Sequence, residues 1–341
     1  MALFKEQLDH LRQAPRRWGL TGVAGFIGSH LLQTLLELDQ EVVGLDDFST
    51  GRAFNLADVR GQVGEERWRR FTLIEGDVRD PEACRRTCEG AWRVLHQAAL
   101  ASVPRSIENP LLTQQVNVGG FLNILLAARD AGVGRVVYAS SSAVYGDGPT
   151  QPKVEADLGI PLSPYGLSKL MDEQWAALCD RLYSQSAIGL RYFNVFGPRQ
   201  DPEGAYAAVI PRWIEQLRAG RACTIFGDGE TSRDFCYIGD VMQANLRAAL
   251  APPGTPSRAF NVARGEATSL NQLHQVLREG VEARIPGLGC VEARRVAPRA
   301  GDIRHSRADL RQIQEVLGFA PEGTVAQGLR DTLDWYLAQG R

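Results

Sequence analysis

What the 341-residue sequence lacks narrows its chemistry first. It has no excess of either charge: 38 Lys and Arg stand against 40 Asp and Glu, a net charge of -2. A near-neutral balance gives neither the basic footprint that nucleic acid requires nor the polybasic face that anionic membrane attracts. The N-terminal MALFKEQLDHLRQAPRRW contains no uninterrupted apolar stretch, so neither a signal peptide nor a membrane anchor is expected there. Cys84 and Cys88 are one helical turn apart, but no second Cys or His pair lies near enough in sequence to complete four ligands, and the five histidines are scattered. A structural zinc site is therefore not expected, and six cysteines without secretory features read as reduced thiols in a cytoplasmic protein. No repeat period or low-complexity tract is present; APPGTPS at 251–257 reads as a loop.

What remains is a globular composition, 44% hydrophobic, in a chain long enough to exceed one simple core. Phe4, Leu8 and Leu11 form an apolar stripe at helical spacing, which predicts an N-terminal helix docked on the body. Apolar runs then alternate with helical segments: EVVGLD, FTLIEGD, WRVLHQAA, RVVYASSS and AIGLRYF, separated by stretches such as SHLLQTLLELD and GGFLNILLAARDAG. Runs that do not alternate suit strands covered on both faces, so the pattern predicts an α/β fold with a doubly wound parallel sheet. After about residue 190 prolines and glycines break the pattern, predicting a smaller C-terminal lobe over the sheet's ligand-binding edge. The expected division assigns residues 1–190 and about 234–263 to a Rossmann-type nucleotide domain, with 1–17 a helical extension. Residues 191–233 and about 264–341 then form the second lobe, ending in a helical stretch over about 308–339.

The loop TGVAGFIGSHLL places Gly22, Gly25 and Gly28 after a presumed strand, RRWGL, and before a helix. Such glycines allow a tight turn and close approach of a pyrophosphate to helix N–H groups. Asp46 ends the next strand, where a carboxylate accepts ribose hydroxyls and repels a 2′-phosphate, favouring NAD over NADP. The Gly19 of RRWGL weakens strand packing and speaks against this reading. In SPYGLSK, Ser163-Pro164 reads as a helix start that stacks Tyr165 and Lys169 on one face. Alone, such a pair is more often a solvated helix face than catalytic machinery.

Taken together, TGVAGFIGSH, GLDDFSTG, GDVRD, HQAALASVPRS, SSSAVYG, SPYGLSK, RYFNVFGPRQ, GDGETSRDF and RAGDIRHS span about Arg17 to Trp335. With them the chain resembles the extended short-chain dehydrogenase/reductase family, most closely its nucleotide-sugar 4-epimerases acting on UDP-N-acetylhexosamines. Asp47 departs from the Asn usual after the ribose Asp, an extra carboxylate that could alter cofactor affinity. The resemblance implies NAD held by Gly22, Gly25, Phe26, Ile27, Gly28, Asp46, Asp77, Val78, Ala98 and Lys169. It implies Tyr165 as the base, with Lys169 and the positive nicotinamide favouring its phenolate, and Ser141 as the hydroxyl that binds the sugar O4 and relays its proton. Hydride would leave C4, the 4-keto sugar would turn over, and hydride would return to the opposite face. The dehydratases of this fold carry an Asp-Glu pair where this chain has Ser141-Ser142-Ala143, and the decarboxylases a Glu where it has Ala143, so both diversions lose ground.

For the nucleotide sugar, the resemblance implies Asn194 at the sugar-phosphate, Arg233 and Arg299 at the diphosphate, Asp302 at the uridine ribose, and Phe226 and Gly227 at uracil. Ala208 and Val209 would line the sugar pocket. Read without the resemblance, the arginines could equally be surface residues, and the serines at 140–142 a turn. Ser306 stands where epimerases confined to plain UDP-hexoses carry a bulky Tyr, which implies room for an N-acetyl group. Ala101, Ser102 and Ser142 resemble the rim proposed to read that group. The expected activity is UDP-N-acetylglucosamine 4-epimerase. The alternatives are UDP-glucose or UDP-N-acetylglucosaminuronate epimerization, or a catalytically silent dinucleotide-binding regulator. The expected partners are a UDP-sugar and a second copy of the chain, since relatives pair two sheet-flanking helices from each subunit.

Overall fold

The computed structural model describes residues 2–203, 207–285, 288, 292–298 and 304–339. Seven parallel strands form the central sheet: β1 (Arg17–Thr21), β2 (Glu41–Asp46), β3 (Phe71–Glu75), β4 (Arg93–His96), β5 (Val136–Ser141), β6 (Ala187–Tyr192) and a last strand, Ala259–Val262. Their order across the sheet is Ala259–Val262, β6, β5, β4, β1, β2, β3. The order reverses between β1 and β4, and a ligand crevice belongs outside the carboxyl ends of strands at such a point.

Successive residues of a strand face opposite ways, so an unbroken apolar strand can feed two cores. Val137 of β5 joins the core on one face and Val136 and Tyr138 the core on the other. The first face is covered by α2 (Phe26–Glu37), α3 (Ala53–Trp68) and the helix Ile238–Leu250. The second is covered by α4 (Pro81–Cys88), α7 (Gly120–Asp130) and α8 (Pro164–Tyr183). The helical run Pro110–Asp130 is apolar and long enough to cross a membrane, yet its Val118, Phe121, Ile124 and Leu125 are buried. At the sheet edge β3 departs from the two-sided pattern, because among the described residues no further strand pairs with it and Thr72 and Leu73 stay exposed.

Gly19 is where the sequence argued against a strand. A Cβ there would stand 2.9 Å from the Thr87 carbonyl oxygen, so the missing side chain lets α4 lie directly on β1. The N-terminal stripe forms α1 (Ala2–Gln13), with Leu11 buried and Phe4 and Leu8 packed on the same core. Gln40 fastens it: its amide donates to Leu11 O at 2.9 Å and its oxygen accepts from Trp18 Nε1 at 3.2 Å.

A third core lies in the C-terminal part, where the helices Val209–Arg218, Leu270–Arg284 and Val325–Ala338 enclose Phe196, Ile225 and Phe235. The final helical stretch expected over about 308–339 is two helices, Arg311–Leu317 and Val325–Ala338. Gly318, left-handed at φ 64°, ends the first. Thr324 caps the second through its hydroxyl.

Candidate active site

The glycine loop after β1 and the end of β2 form a cleft of about 240 Å3. Gly22 has φ +68°, a region that side chains disfavour, and a Cβ there would lie 2.7 Å from Ala98 N. Gly25 is the N-cap of α2 and carries no side chain to accept the first-turn N–H groups, which leaves them for an anion. Asp46 turns its carboxylate into the loop, accepting from Ala24 N at 2.8 Å and Phe48 N at 2.9 Å. Burial raises its carboxyl above the usual range, and those two N–H groups pull it back. Gly51 fits over it, since a Cβ there would stand 2.5 Å from Oδ1.

Gly22, Gly25, Phe26, Ile27, Gly28, Asp46, Val78, Ala98 and Ala101 all line this cleft. Asp77 does not: its carboxylate pairs with Arg79 and accepts Arg79 N at 2.8 Å, which hold it below the ordinary range. A tight loop, free helix-end N–H groups and a buried carboxylate fit a pyrophosphate and its ribose, so the donor set suits NAD. Among the other lining residues, Ser49, Thr50, Gly51, Gly76, Ala99 and Leu100 were not singled out from the sequence. A larger cavity of about 680 Å3 lies between α1 and the helix Val325–Ala338, lined by a different set of residues.

The side chains expected to handle the proton lie at the end of β5 and on α8. Ser141 ends β5, and its Oγ accepts Ala143 N at 3.1 Å, capping the 3-10 turn Ser142–Tyr145. Its hydroxyl proton is therefore left to donate elsewhere. Ser163 caps α8, accepting Gly166 N at 3.0 Å, with Pro164 in the first turn as the sequence predicts. A Cβ on Gly166 would stand 2.7 Å from Ala143 O. That close approach sets the first turn of α8, and Tyr165 with it, against the turn that Ser141 caps.

Tyr165 is half-buried and its N–H donates to Ser106 Oγ at 3.1 Å. Ser106 lies in α5 (Val103–Glu108), whose N-cap is Ser102, and the Ser106 N–H donates to Ser102 O at 3.0 Å. Lys169 is fully buried, with Nζ 3.1 Å from Asp172 Oδ2. Deeper, Glu173 receives Arg191 through two contacts of 2.8 and 2.7 Å and the Ser140 hydroxyl at 2.5 Å, tying α8 to β5 and β6.

Asn117 carries no sequence motif and was missed. After α6 (Pro110–Thr113), residues Gln114–Gly119 form a π-helical turn in which Asn117 is wholly buried. Its side chain accepts Leu100 N at 2.8 Å and donates to Ser168 Oγ at 3.0 Å. One amide thus joins the cofactor-side loop to the residue preceding Lys169. The same run also holds Thr113, Gln114, Gln115 and Asn123, so no local signal marks Asn117 out.

In the second lobe, strand Ser232–Arg233 runs parallel to His305–Ser306, with Ser306 opposite Arg233. Ser306 and Arg233, both expected at the nucleotide sugar, are therefore neighbours. Arg233 donates to Ser232 O at 2.9 Å. Asn194 joins this group: its Nδ2 donates to Asp234 O at 3.1 Å. Phe226 ends the strand Thr224–Phe226 and Gly227 follows at φ +73°, its N–H bonded to Val296 O at 2.9 Å. Ala208 caps the helix that Val209 begins, and Val209 packs on the third core. Arg299 and Asp302 lie outside the described residues.

Residues 18–263 match the profile of the NAD dependent epimerase/dehydratase family. A UDP-glucose 4-epimerase of Mycolicibacterium smegmatis is 39% identical over 93% of this chain and 97% of its own. The solved UDP-N-acetylglucosamine 4-epimerase of Methanobrevibacter ruminantium, in complex with UDP-N-acetylmuramic acid, superposes with a TM-score of 0.87. It is 33% identical and covers 95% of this chain and 99% of that one. A Thermus thermophilus UDP-glucose 4-epimerase solved with NAD gives a TM-score of 0.80 at 32% identity, covering 94% of this chain and 99% of that one.

Proposed function

Since the chain belongs to the NAD-dependent epimerase/dehydratase family, as a nucleotide-sugar 4-epimerase and hence an isomerase, we propose that its substrates are UDP-N-acetylglucosamine and UDP-N-acetylgalactosamine. The observation that carries the choice of sugar is Ser306, a small residue set directly opposite Arg233. A guanidinium suits paired phosphate oxygens, and beside it a serine leaves volume that a larger residue would fill. Ser102 and Ser142 supply polar groups for an acetamido substituent on the side of Tyr165. Plain UDP-glucose and the uronate remain the competing substrates of the same site.

Bound NAD supplies the hydride acceptor and donor at the sugar C4. The chain's part is to bind and orient that group, to draw the O4 proton to Tyr165 through Ser141, and to return it after the sugar has turned. Free tyrosine loses its proton only near about pH 10, so a tyrosine base needs a positive neighbour. Lys169, one turn along the same face, is that neighbour. Asn194 and Arg233 would hold the diphosphate while the sugar turns, with Arg299 proposed as a second arginine, Asp302 at the ribose, and Phe226 and Gly227 at the base.

The assembly proposed is a homodimer through α7 and α8. Leu167, Leu182 and Tyr183 of α8 and the neighbouring Ile107 and Leu111 are large apolar side chains left open to solvent. The proposed location is the cytoplasm, consistent with buried thiols at Cys84, Cys88, Cys179, Cys223 and Cys236. Purified protein given UDP-N-acetylgalactosamine and no added NAD is expected to produce UDP-N-acetylglucosamine. Faster conversion of UDP-glucose or of the uronate by the same NAD-loaded protein overturns the choice of sugar.

A further inference from the structure

The proton chemistry described so far uses Tyr165, Lys169 and Ser141, but the charge nearest Lys169 belongs to a residue outside that set. Asp172 is wholly buried on the same helix, three residues on, with Oδ2 3.1 Å from the ammonium. Its other oxygen, Oδ1, has no hydrogen-bond partner among the described residues. A neutral side chain would fill that position at less cost, because a buried carboxylate is expensive unless paired and fully hydrogen-bonded.

The titratable and charged groups around Asp172 come from three strands and its own helix. Lys169 and Glu173 share the helix, and Arg191 of β6 binds Glu173. Tyr138 of β5 and His96 of β4 complete the set, with Tyr138 Oη and His96 Nε2 also without partners among the described residues. His96 Nδ1 is 2.8 Å from Thr21 Oγ1, and burial followed by the Lys169 charge holds the imidazole down at about 3. Burial, then Glu173 and Asp172, raises the Tyr138 phenol well above its usual range. Neither ring therefore carries charge near neutral pH. Asp172 is different: burial pushes its carboxyl up to about 7 against the pull of Lys169.

We propose that Asp172 is a positioning residue for the epimerization, anchoring the Lys169 ammonium and partly neutralizing it, so that Asp172 sets how strongly Lys169 favours the Tyr165 phenolate. The proposal rests on the reading of Tyr165 and Lys169 as the proton-handling pair. Asp172 and Tyr165 then compete for one positive charge, and groups that share a charge titrate together over a widened pH range.

The experiment replaces the carboxylate with its near-isosteric amide, Asp172→Asn. Two quantities are read: tyrosinate absorbance against pH, each protein differenced against its own Tyr165→Phe form, and the pH profile of kcat and KM. The expected result is a tyrosinate transition that is steeper and displaced by roughly one pH unit toward acid, with the base-dependent limb of kcat moving the same way and KM little changed. In Lys169→Met protein the same substitution is expected to produce a much smaller displacement, because the effect runs through the ammonium. If Asp172→Asn does not fold, Asp172→Ser provides the same reading. A transition and pH limb that remain in place in a folded variant, or that move toward alkali, overturn the proposal. Loss of the tyrosinate signal at Tyr165 in the parent protein instead refutes the catalytic pair itself, so the two failures are distinct.

Discussion

The glycine loop offers a graded test, because its three glycines and one remote glycine face different surroundings. A Cβ at Gly28 would stand 1.9 Å from the Gly22 carbonyl oxygen and 2.7 Å from its carbon, both backbone atoms that cannot rotate away. At Gly25 the nearest approach is 3.1 Å, and at Gly61, exposed on α3 three residues before the helix breaks at Gly64, nothing lies within 4 Å. Alanine favours a helix over glycine by about 1 kcal/mol, so Gly61→Ala should raise stability by roughly 0.5–1 kcal/mol. Gly28→Ala earns the same helix gain but must push α2 from the loop by more than an ångström. Such displacements cost about 1–3 kcal/mol or more, and because the helix gain is common to both variants, Gly28→Ala is left less stable than Gly61→Ala by that amount. The shift also moves the first-turn N–H groups off the pyrophosphate, and each charge-assisted hydrogen bond lost is worth about 1.5–3 kcal/mol. A tenfold or greater loss of cofactor affinity follows. The assay is the NAD released from purified protein on denaturation, together with the thermal midpoint. Gly28→Ala protein that retains a full complement of NAD and melts with Gly61→Ala would falsify the loop assignment.

Tyr165→Phe should lower turnover by about 10²-fold or more with an unchanged thermal midpoint; preserved activity instead points to the silent regulator. Ser306→Tyr should slow acetylated UDP-sugars far more than UDP-glucose, measured as kcat/KM for each, and equal slowing removes Ser306 from sugar selection. His30 is half-buried, and desolvation followed by the Arg199 charge lowers its imidazole from 6.5 to about 3. The folded state therefore keeps His30 neutral, so its contribution is complete above pH 6.5 and is lost as pH falls toward 3. At about pH 5 one such group costs about 2 kcal/mol, and His30→Gln should flatten denaturant-measured stability over that range. Leu167→Glu should shift the sedimenting species from dimer to monomer; a parent protein that sediments as a monomer removes the proposed interface.

Local signals carried much of this site into view. A strand, a glycine triplet and a helix act within a dozen residues, so the cofactor loop is written contiguously, as are the Ser163 cap and the Tyr165–Lys169 face. Gly19 misled because its role lies in Thr87 of another element. Asn117, Ser106 and Asp172 were missed for the same reason: each works through a partner or a burial state that no local pattern encodes. The pairing of Ser306 with Arg233 spans 73 residues of chain, and only the folded chain shows that the two are neighbours. The edge position of β3 was equally hidden, since its composition resembles that of the covered strands.

The π-helical turn at Gln114–Gly119 also limits how this stretch of chain can change over evolution. An ordinary α-helix turns by about 100° per residue, and the wide turn absorbs one residue more than an α-helix of the same length would hold. Gain of a further residue there would rotate α7 by that angle, turning Phe121, Ile124 and Leu125 out of the core, while loss of one would close the wide turn into ordinary α-helix and alter the local geometry by which Asn117 reaches Leu100 and Ser168. The number of residues between Pro110 and Asp130 is thus under tighter constraint than most of their identities.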